Sequence, residues 1–260
     1  MKTANRILLS FSLILLLSGP HSTAQTDGQI KPILEKFAQD YLNDPSRTEK
    51  VFGVEVDKEM WRIYTPGKES SKQQPIVEKG NPGKPTFYFV TNLETLELID
   101  KGKMNAMTAG VKAFSTDYAP LDIDVMEGFQ PGEDFVAEVL AFTFHFWTRG
   151  VPEIIPFGPH YTRSTHGAQA AVFYYDKGLR TGYGYIHPGQ HANEHPKSKT
   201  NPFPSMMIVT KGKILARLDG VDHPIEQGNA FFIPAGMSHE VLNPYEEPGE
   251  IILLMFGEGA

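Results

Sequence analysis

Evenly spaced glycines divide the C-terminal part of the chain into short apolar segments. Gly212, Gly220 and Gly228 are eight residues apart, with strand-like segments between them. The pair Asp219–Gly220 is a strong signal for a two-residue hairpin turn. Short strands joined by glycine turns predict a small antiparallel β-barrel or jelly roll from about residue 170 onward.

One stretch in this region places a histidine between turn-forming residues. Residues 228–243 read GNAFFIPAGMSHEVLN. Pro234 and Gly236 predict a tight turn, His239 begins the next strand, and Asn243 can hydrogen-bond the turn that follows. The turn is expected to fix the direction of His239, into the barrel. An imidazole aimed in this way suits a metal ligand or a general base.

The same stretch resembles the second motif of the cupin superfamily, G-x5-P-x-G-x2-H-x3-N. All its fixed positions are present, as Gly228, Pro234, Gly236, His239 and Asn243. The resemblance covers roughly residues 170–257. It implies an all-β cupin domain, a small jelly-roll β-barrel, for which we predict the bounds 156–260.

The first cupin motif, G-x5-H-x-H-x3-4-E-x6-G, is incomplete. Gly189 followed by five residues gives His195, but Lys197 stands where the second histidine is expected. Counting back from Gly212 places Ser205 where the glutamate is expected. The four metal ligands that the family implies are therefore reduced to His195 and His239.

His191 is a nearby substitute ligand. Together, His191, His195 and His239 would form a three-histidine site for a divalent metal, namely Fe, Mn, Ni or Zn. A barrel without metal is one alternative, and a metal site with some other ligand set, for which His187 and Glu194 are nearby, is another. Tyr185 and Phe231 are predicted to shape the pocket in which a small organic molecule binds, hydrophobic molecules included.

The first 24 residues have the pattern of a secretory signal peptide. Lys2 and Arg6 precede an apolar run, Ile7 to Leu17, and small residues precede a cut at Gln25. The run is shorter than the roughly 20 residues that span a bilayer, so we expect no membrane span after cleavage. The protein is predicted to be exported, to the bacterial periplasm or outside the cell.

Charge and cysteine content restrict the partners. Removing Lys2 and Arg6 takes the formal net charge from −7 to −9, which disfavours nucleic acid as a partner. The chain contains no cysteine, so any metal site must use histidine, carboxylate or carbonyl ligands.

Residues 25–155 are predicted to form a separate α+β domain. The segment 87–113 has a strand, a short helix capped by Asn92, a Gly-Lys turn at Gly102 and a second helix. In this order it resembles the sterol carrier protein 2 type lipid-binding domain, over about residues 27–150. An apolar helix ending at Gly150 follows. Its side chains are expected either to line an apolar tunnel or to pack as a core: Phe135, Val139, Phe142, Phe146 and Trp147.

These patterns leave three functional hypotheses. The first is an exported, metal-dependent cupin oxygenase, isomerase or lyase acting on a small organic molecule. The second is a non-catalytic binding or sensor protein whose N-terminal domain holds a lipid or hydrophobic metabolite. The third is a metal-free cupin that uses His239 or His195 for acid–base chemistry. Because cupins often associate through sheet edges, we also predict a homodimer.

Overall fold

The computed structural model describes residues 23–148 and 152–260. Most of the predicted signal peptide, residues 1–22, and the predicted helix end at Gly150 lie outside this range. The helices are α1 (Thr23–Asp40), α2 (Leu93–Asp100), α3 (Ala106–Gly110) and α4 (Phe135–Trp147). Within the described residues, no helix combines the length and the apolar character needed to cross a membrane.

The strands fall into two groups along the chain. The first group is β1 (Lys50–Val56), β2 (Glu59–Thr65), β3 (Ile76–Lys79), β4 (Phe87–Thr91) and β5 (Asp122–Val125). The second group is β6 (Arg163–Thr165), β7 (Ala168–Asp176), β8 (Leu179–Ile186), β9 (His191–Ala192), β10 (Ser205–Lys211), β11 (Lys213–Leu218), β12 (Val221–Glu226), β13 (Ala230–Ile233), β14 (His239–Leu242) and β15 (Gly249–Phe256).

The N-terminal region is a mixed five-stranded sheet covered by helices. Its strand order is β3-β2-β1-β4-β5, with β1 and β4 parallel and the other neighbours antiparallel. Helices α1 and α4 bury their apolar sides in one core with the sheet. Asn92 caps α2 as predicted, because its side-chain oxygen accepts a hydrogen bond from the Thr95 backbone N–H at 2.8 Å.

Aromatic rings fill the space between α4 and this sheet. The Phe142 ring centroid lies 5.0 Å from that of Phe52 and 5.8 Å from that of Phe87. Trp147 makes an edge contact with Phe37 at 4.8 Å. Val139, Phe142, Phe146 and Trp147 are buried in the core, and Phe135 packs against its edge. Of the two alternatives for these side chains, the packed core is the arrangement observed.

The C-terminal region is built from two antiparallel sheets. One has the strand order β13-β10-β15-β8-β7-β6 and the other β12-β11-β14-β9. A single apolar core contains side chains from both, including Val209 and Ile251 of the first sheet and Ile214 and Val241 of the second. The sheets therefore face each other, and we call the faces turned toward this core the inner faces. The predicted β architecture is confirmed here, whereas closure into a complete barrel stays a prediction.

Hydrogen bonds from the C-terminal region hold the end of α3. The Arg163 guanidinium donates to the backbone carbonyls of Ala109 at 2.9 Å, Val111 at 2.8 Å and Tyr118 at 3.1 Å. The Thr108 hydroxyl accepts a hydrogen bond from the Val172 backbone N–H at 2.8 Å. Carbonyls at a helix end have no partner within the helix, so Arg163 supplies partners that α3 itself lacks.

We expect Arg163→Ala to lower the free energy of unfolding by about 2–3 kcal/mol, because hydrogen bonds to a charged group are the stronger kind. Arg163→Lys should lose an intermediate amount, since an ammonium cannot reach all these carbonyls at once. Urea unfolding at neutral pH measures both variants. A loss below about 0.5 kcal/mol for Arg163→Ala, the range of ordinary surface substitutions, would contradict this role.

Candidate functional site

The turn before β14 fixes the position of His239. Gly236 has a φ of +79°, and its backbone N–H donates to the Asn201 carbonyl at 2.8 Å. The His239 backbone N–H donates to the Lys199 carbonyl at 2.7 Å. His239 is only 2% exposed. The turn thus directs the imidazole inward, as the spacing of Pro234 and Gly236 predicts.

A hydrogen bond defines the tautomer of the His239 ring. Its Nδ1 lies 3.2 Å from the Met237 carbonyl oxygen. Because a carbonyl oxygen can only accept, Nδ1 carries the proton in this bond and Nε2 of the neutral ring keeps its lone pair. Burial lowers the pKa of His239, and the bond to Met237 opposes that shift only in part.

The lowered pKa of His239 predicts how stability depends on pH. The unfolded chain takes up a proton near pH 6.5 while the folded ring stays neutral, so acidification through this pH destabilises the fold. We expect His239→Gln to unfold with a shallower loss of stability between pH 7 and pH 5 than the wild type. The difference in slope should not exceed about 1.4 kcal/mol per pH unit, the limit for one proton. Urea unfolding across this range measures it, and parallel curves would contradict the buried neutral imidazole.

Asn243 locks the loop after β14. Its side-chain amide donates to the carbonyls of Ile186 at 2.9 Å and Glu247 at 2.8 Å, and its carbonyl oxygen accepts from the Tyr245 backbone N–H at 3.0 Å. Asn243 is 1% exposed, so its side-chain amide has these protein groups rather than water as hydrogen-bond partners. The residue therefore holds the end of β8 beside β14 and has a structural role.

The two sides of the β9–β14 pair separate His191 from His239. Ala192 lies opposite Val241, and both are buried in the inner core. Successive side chains of a strand point to opposite faces, so His239 shares the inner face with Val241. His191 lies opposite Leu242 and therefore points outward.

On the outer face, His191 belongs to a charged cluster. Its Nε2 lies 2.6 Å from Glu240 Oε2, and Lys199 Nζ lies 2.8 Å from Glu240 Oε1. The hydrogen bond from Lys199, followed by that to His191, lowers the pKa of Glu240. Neither Glu240 nor Lys199 is among the predicted site residues. Glu240 directly follows His239, so strand alternation alone indicates that it faces outward.

The side chain of His195 contacts neither His239 nor the outer-face cluster. It is exposed, its Nδ1 accepts a hydrogen bond from the Lys197 backbone N–H at 3.2 Å, and its ring lies 4.7 Å from that of Phe114 in the N-terminal region. Ser205 lies at the start of β10, opposite Ile233 of the inner core. It is 1% exposed, and its hydroxyl has no hydrogen-bond partner among the described residues.

The two predicted pocket residues lie on opposite faces of the six-stranded sheet. Phe231 is paired with Met207 and packs against the inner core. Tyr185 is paired with Glu250, one residue before the inward Ile251, and its ring lies 4.7 Å from that of His187. Only Phe231 is therefore placed to contact a molecule inside the two sheets.

The predicted three-histidine site is not assembled in this structure. His239 faces inward, His191 faces outward and is bonded to Glu240, and His195 is exposed beside Phe114. In the part of the chain that the structure describes, no three histidine, aspartate or glutamate side chains are grouped so as to hold a metal ion. The physical reason is strand alternation, which places His191 of β9 and His239 of β14 on different faces of the sheet.

Comparison with known proteins agrees with the second motif. Residues 183–255 match the cupin domain family. A Cupin 2 conserved barrel domain protein from Salinispora arenicola CNS-205 is 20% identical, with 41% of this chain and 90% of that chain covered and a TM-score of 0.37. An RmlC-like cupin from Shewanella frigidimarina NCIMB 400 is 19% identical, with coverages of 40% and 91% and a TM-score of 0.33. A predicted oxalate decarboxylase from Thermotoga maritima is 19% identical, with coverages of 34% and 79% and a TM-score of 0.31.

No curated protein matches the chain. The family match and the intact second motif together define residues 183–255 as a cupin domain. This is a cupin-domain protein. The match does not reach the N-terminal region, for which the sterol carrier resemblance stays a prediction.

Proposed function

We propose that this chain is an exported protein whose cupin domain binds a small organic molecule between its two sheets, without a three-histidine metal centre. The observation that carries the proposal is the buried, inward-facing His239, whose Nδ1 is bonded to Met237. Its Nε2 keeps a lone pair, and the ring lies on the inner face beside the apolar core. A ligand that offers an O–H or N–H group would satisfy it.

Ser205 supports a polar ligand on the opposite sheet. Its buried hydroxyl lacks a partner among the described residues, although buried polar groups are normally hydrogen-bonded. A molecule with both a donor for His239 and an acceptor for Ser205, such as a hydroxylated or carbonyl compound, fits this pair. Phe231 would then contribute an apolar contact, because it packs on the same inner core.

The donor set does not fit the metal-dependent hypothesis. A catalytic metal site needs about three protein ligands that converge on one point. Of the histidines predicted for this site, only His239 faces the interior, and Lys197 and Ser205 occupy the other two cupin ligand positions. The proposed function therefore involves no metal-dependent step.

Metal analysis tests this proposal directly. After the purified protein has been loaded with Fe, Mn, Ni and Zn, we expect well under one equivalent to remain bound after desalting. We also expect no difference between the wild type and His239→Ala. Elemental mass spectrometry measures both. About one equivalent that disappears in His239→Ala would overturn the proposal and restore the three-histidine hypothesis.

Ligand binding is tested by thermal shift with a panel of sugars, hydroxy acids, keto acids and aromatic alcohols. The compounds that raise the melting temperature of the wild type should lose this effect in His239→Ala. His223→Ala serves as the matched control, because His223 is an exposed histidine of the same domain. Shifts that respond equally to both substitutions would place the ligand elsewhere.

A catalytic form of the proposal uses the lone pair of His239 Nε2 as a general base. A neutral imidazole with Nδ1 fixed by a carbonyl can abstract a proton from a bound C–H or O–H group. Exchange of ligand hydrogen in deuterated water, lost in His239→Gln, is the expected result for an isomerase-type enzyme. Binding without exchange would favour the non-catalytic alternative.

Three further proposals rest on the sequence. Cleavage near Gln25 during export is tested by the N-terminal sequence of the secreted protein. The homodimer is tested by sedimentation, where a monomer at micromolar concentration would contradict it. Lipid binding by residues 27–150 is supported by the observed order of β4, α2 and α3, which agrees with the predicted order. Mass spectrometry of organic extracts from the purified protein tests that proposal.

A further inference from the structure

A cleft lies where the N-terminal region meets the turn between β7 and β8. It has a volume of about 340 Å³, at the lower end of the roughly 300–1,000 Å³ range of small-molecule sites. Helix α4 forms its floor with Ala137, Ala141 and Phe142. One wall is the segment that leads into β1, with Ser46, Thr48 and Lys50, and the other is the turn with Asp176 and Lys177.

The charged and polar side chains at one end of this cleft already bond to other protein groups. His145 Nδ1 lies 2.9 Å from Asp44 Oδ2, and its Nε2 lies 3.7 Å from Asp176 Oδ2. The Tyr174 hydroxyl donates to the same Asp176 oxygen at 3.2 Å. Lys177 pairs with Asp134 at 3.7 Å, a residue that does not line the cleft. These polar groups therefore have partners within the protein.

Two other charges on the cleft lack such partners. The Lys50 ammonium lies 5.6 Å from the centroid of the Phe142 ring and forms no ion pair with any residue that the structure describes. Glu138, one turn before Phe142 on α4, is exposed and likewise has no ion pair within residues 23–148 and 152–260. Charges of opposite sign thus flank an apolar floor without meeting each other.

We propose that this cleft binds a small zwitterion with an apolar body, such as an α-amino acid with an aromatic side chain. The ligand carboxylate would pair with Lys50, its ammonium with Glu138, and its side chain would lie on Ala137 and Ala141 of α4. A ligand with only an ammonium or only a carboxylate group would leave either Lys50 or Glu138 without an opposite charge. The site is separate from the interior of the cupin domain and does not depend on the function proposed for it.

Saturation-transfer NMR with three matched probes tests this proposal on the purified protein. The probes are L-phenylalanine, phenylpropanoate, which lacks the ammonium, and phenethylamine, which lacks the carboxylate. We expect L-phenylalanine to bind more tightly than either of the others. Each ion pair should contribute about a three- to fivefold gain in affinity, which is typical of partly exposed pairs.

Charge-removing variants assign the contacts. Lys50→Gln should weaken L-phenylalanine and phenylpropanoate by about three- to fivefold and leave phenethylamine unchanged. Glu138→Gln should weaken L-phenylalanine and phenethylamine and leave phenylpropanoate unchanged. Lys68→Gln and Glu127→Gln, at exposed positions outside the cleft, are the matched controls.

The pattern across probes and variants decides the outcome. Equal affinity for L-phenylalanine and phenylpropanoate, together with no effect of Glu138→Gln, would contradict the proposal that the ligand is a zwitterion whose ammonium pairs with Glu138. Absence of L-phenylalanine binding, or equal losses in the cleft variants and the controls, would overturn the site itself. Because both cleft substitutions are at solvent-accessible positions, thermal unfolding of each variant is expected to match the wild type and verifies that the fold is kept.

Discussion

Phe142→Ala is expected to lower the free energy of unfolding by about 3–5 kcal/mol, the usual cost of emptying a buried aromatic site. The Phe142 ring contacts the rings of Tyr41, Phe52, Phe87, Phe89 and Phe146. Its removal leaves a cavity that these rings cannot close, because they are held by β1, β4 and the N-terminal helices. Urea or thermal unfolding measures the loss.

The matched control is Val136→Ala on the same helix. Val136 is 65% exposed, so its truncation should change stability by less than about 0.5 kcal/mol. The comparison also bears on the sterol carrier resemblance. If Phe142 lined a lipid tunnel, its truncation would cost little in the lipid-free protein, and a loss below about 1 kcal/mol would contradict the packed core.

Gly212→Ala is expected to destabilise the cupin domain by about 3–4 kcal/mol, through two separate effects. Gly212 has a φ of +69°, a conformation that costs an L-residue about 1–2 kcal/mol. A Cβ at this position would also lie 2.4 Å from the Pro248 carbonyl oxygen, so the backbone itself would have to move. The change in urea midpoint measures the sum.

Gly220→Ala separates the two effects. Gly220 has a similar φ of +81°, but an added Cβ would meet nothing within 4 Å. It should therefore cost only the conformational part, about 1–2 kcal/mol. Equal losses for the two variants would show that the close approach of Gly212 to Pro248 is unimportant.

The second cupin motif could be predicted from sequence because its residues act over short distances. Pro234 and Gly236 form the turn, Asn243 bonds neighbouring loops, and Gly228 has a φ of +86°, a conformation that favours glycine. Each of these roles depends on a few adjacent residues, so fixed spacing is enough to reveal it. The direction of His239 follows from the same turn.

The face on which His191 lies could not be predicted in the same way. Alternation predicts the facing of a side chain only along an unbroken strand, and β9 is just His191–Ala192. The turn at Gly189 and the positive φ of 60° at Asn193 interrupt the alternation on both sides. Its pairing with Leu242 depends on the tertiary register, which no local pattern contains.

The cluster of Glu240, His191 and Lys199 escaped prediction for a related reason. Its members come from β14, β9 and the loop before β10, and only the fold brings them together. The spacing of the first cupin motif also points to histidines and gives no signal for a carboxylate on the outer face of β14. The cleft between α4 and the turn that joins β7 and β8 is likewise formed only by the fold and has no signal in the sequence.

The hydrogen bonds from Arg163 and Val172 to the end of α3 affect whether the two halves of the chain can be separated. The cupin half alone would carry an arginine without these carbonyls, and the N-terminal half alone would lose the bonds from Arg163 to Ala109 and Val111 and the bond from Val172 to the Thr108 hydroxyl. Shuffling either half onto a foreign partner removes both sets of contacts at once. Either half produced alone is therefore expected to be less stable than the same half in the full chain.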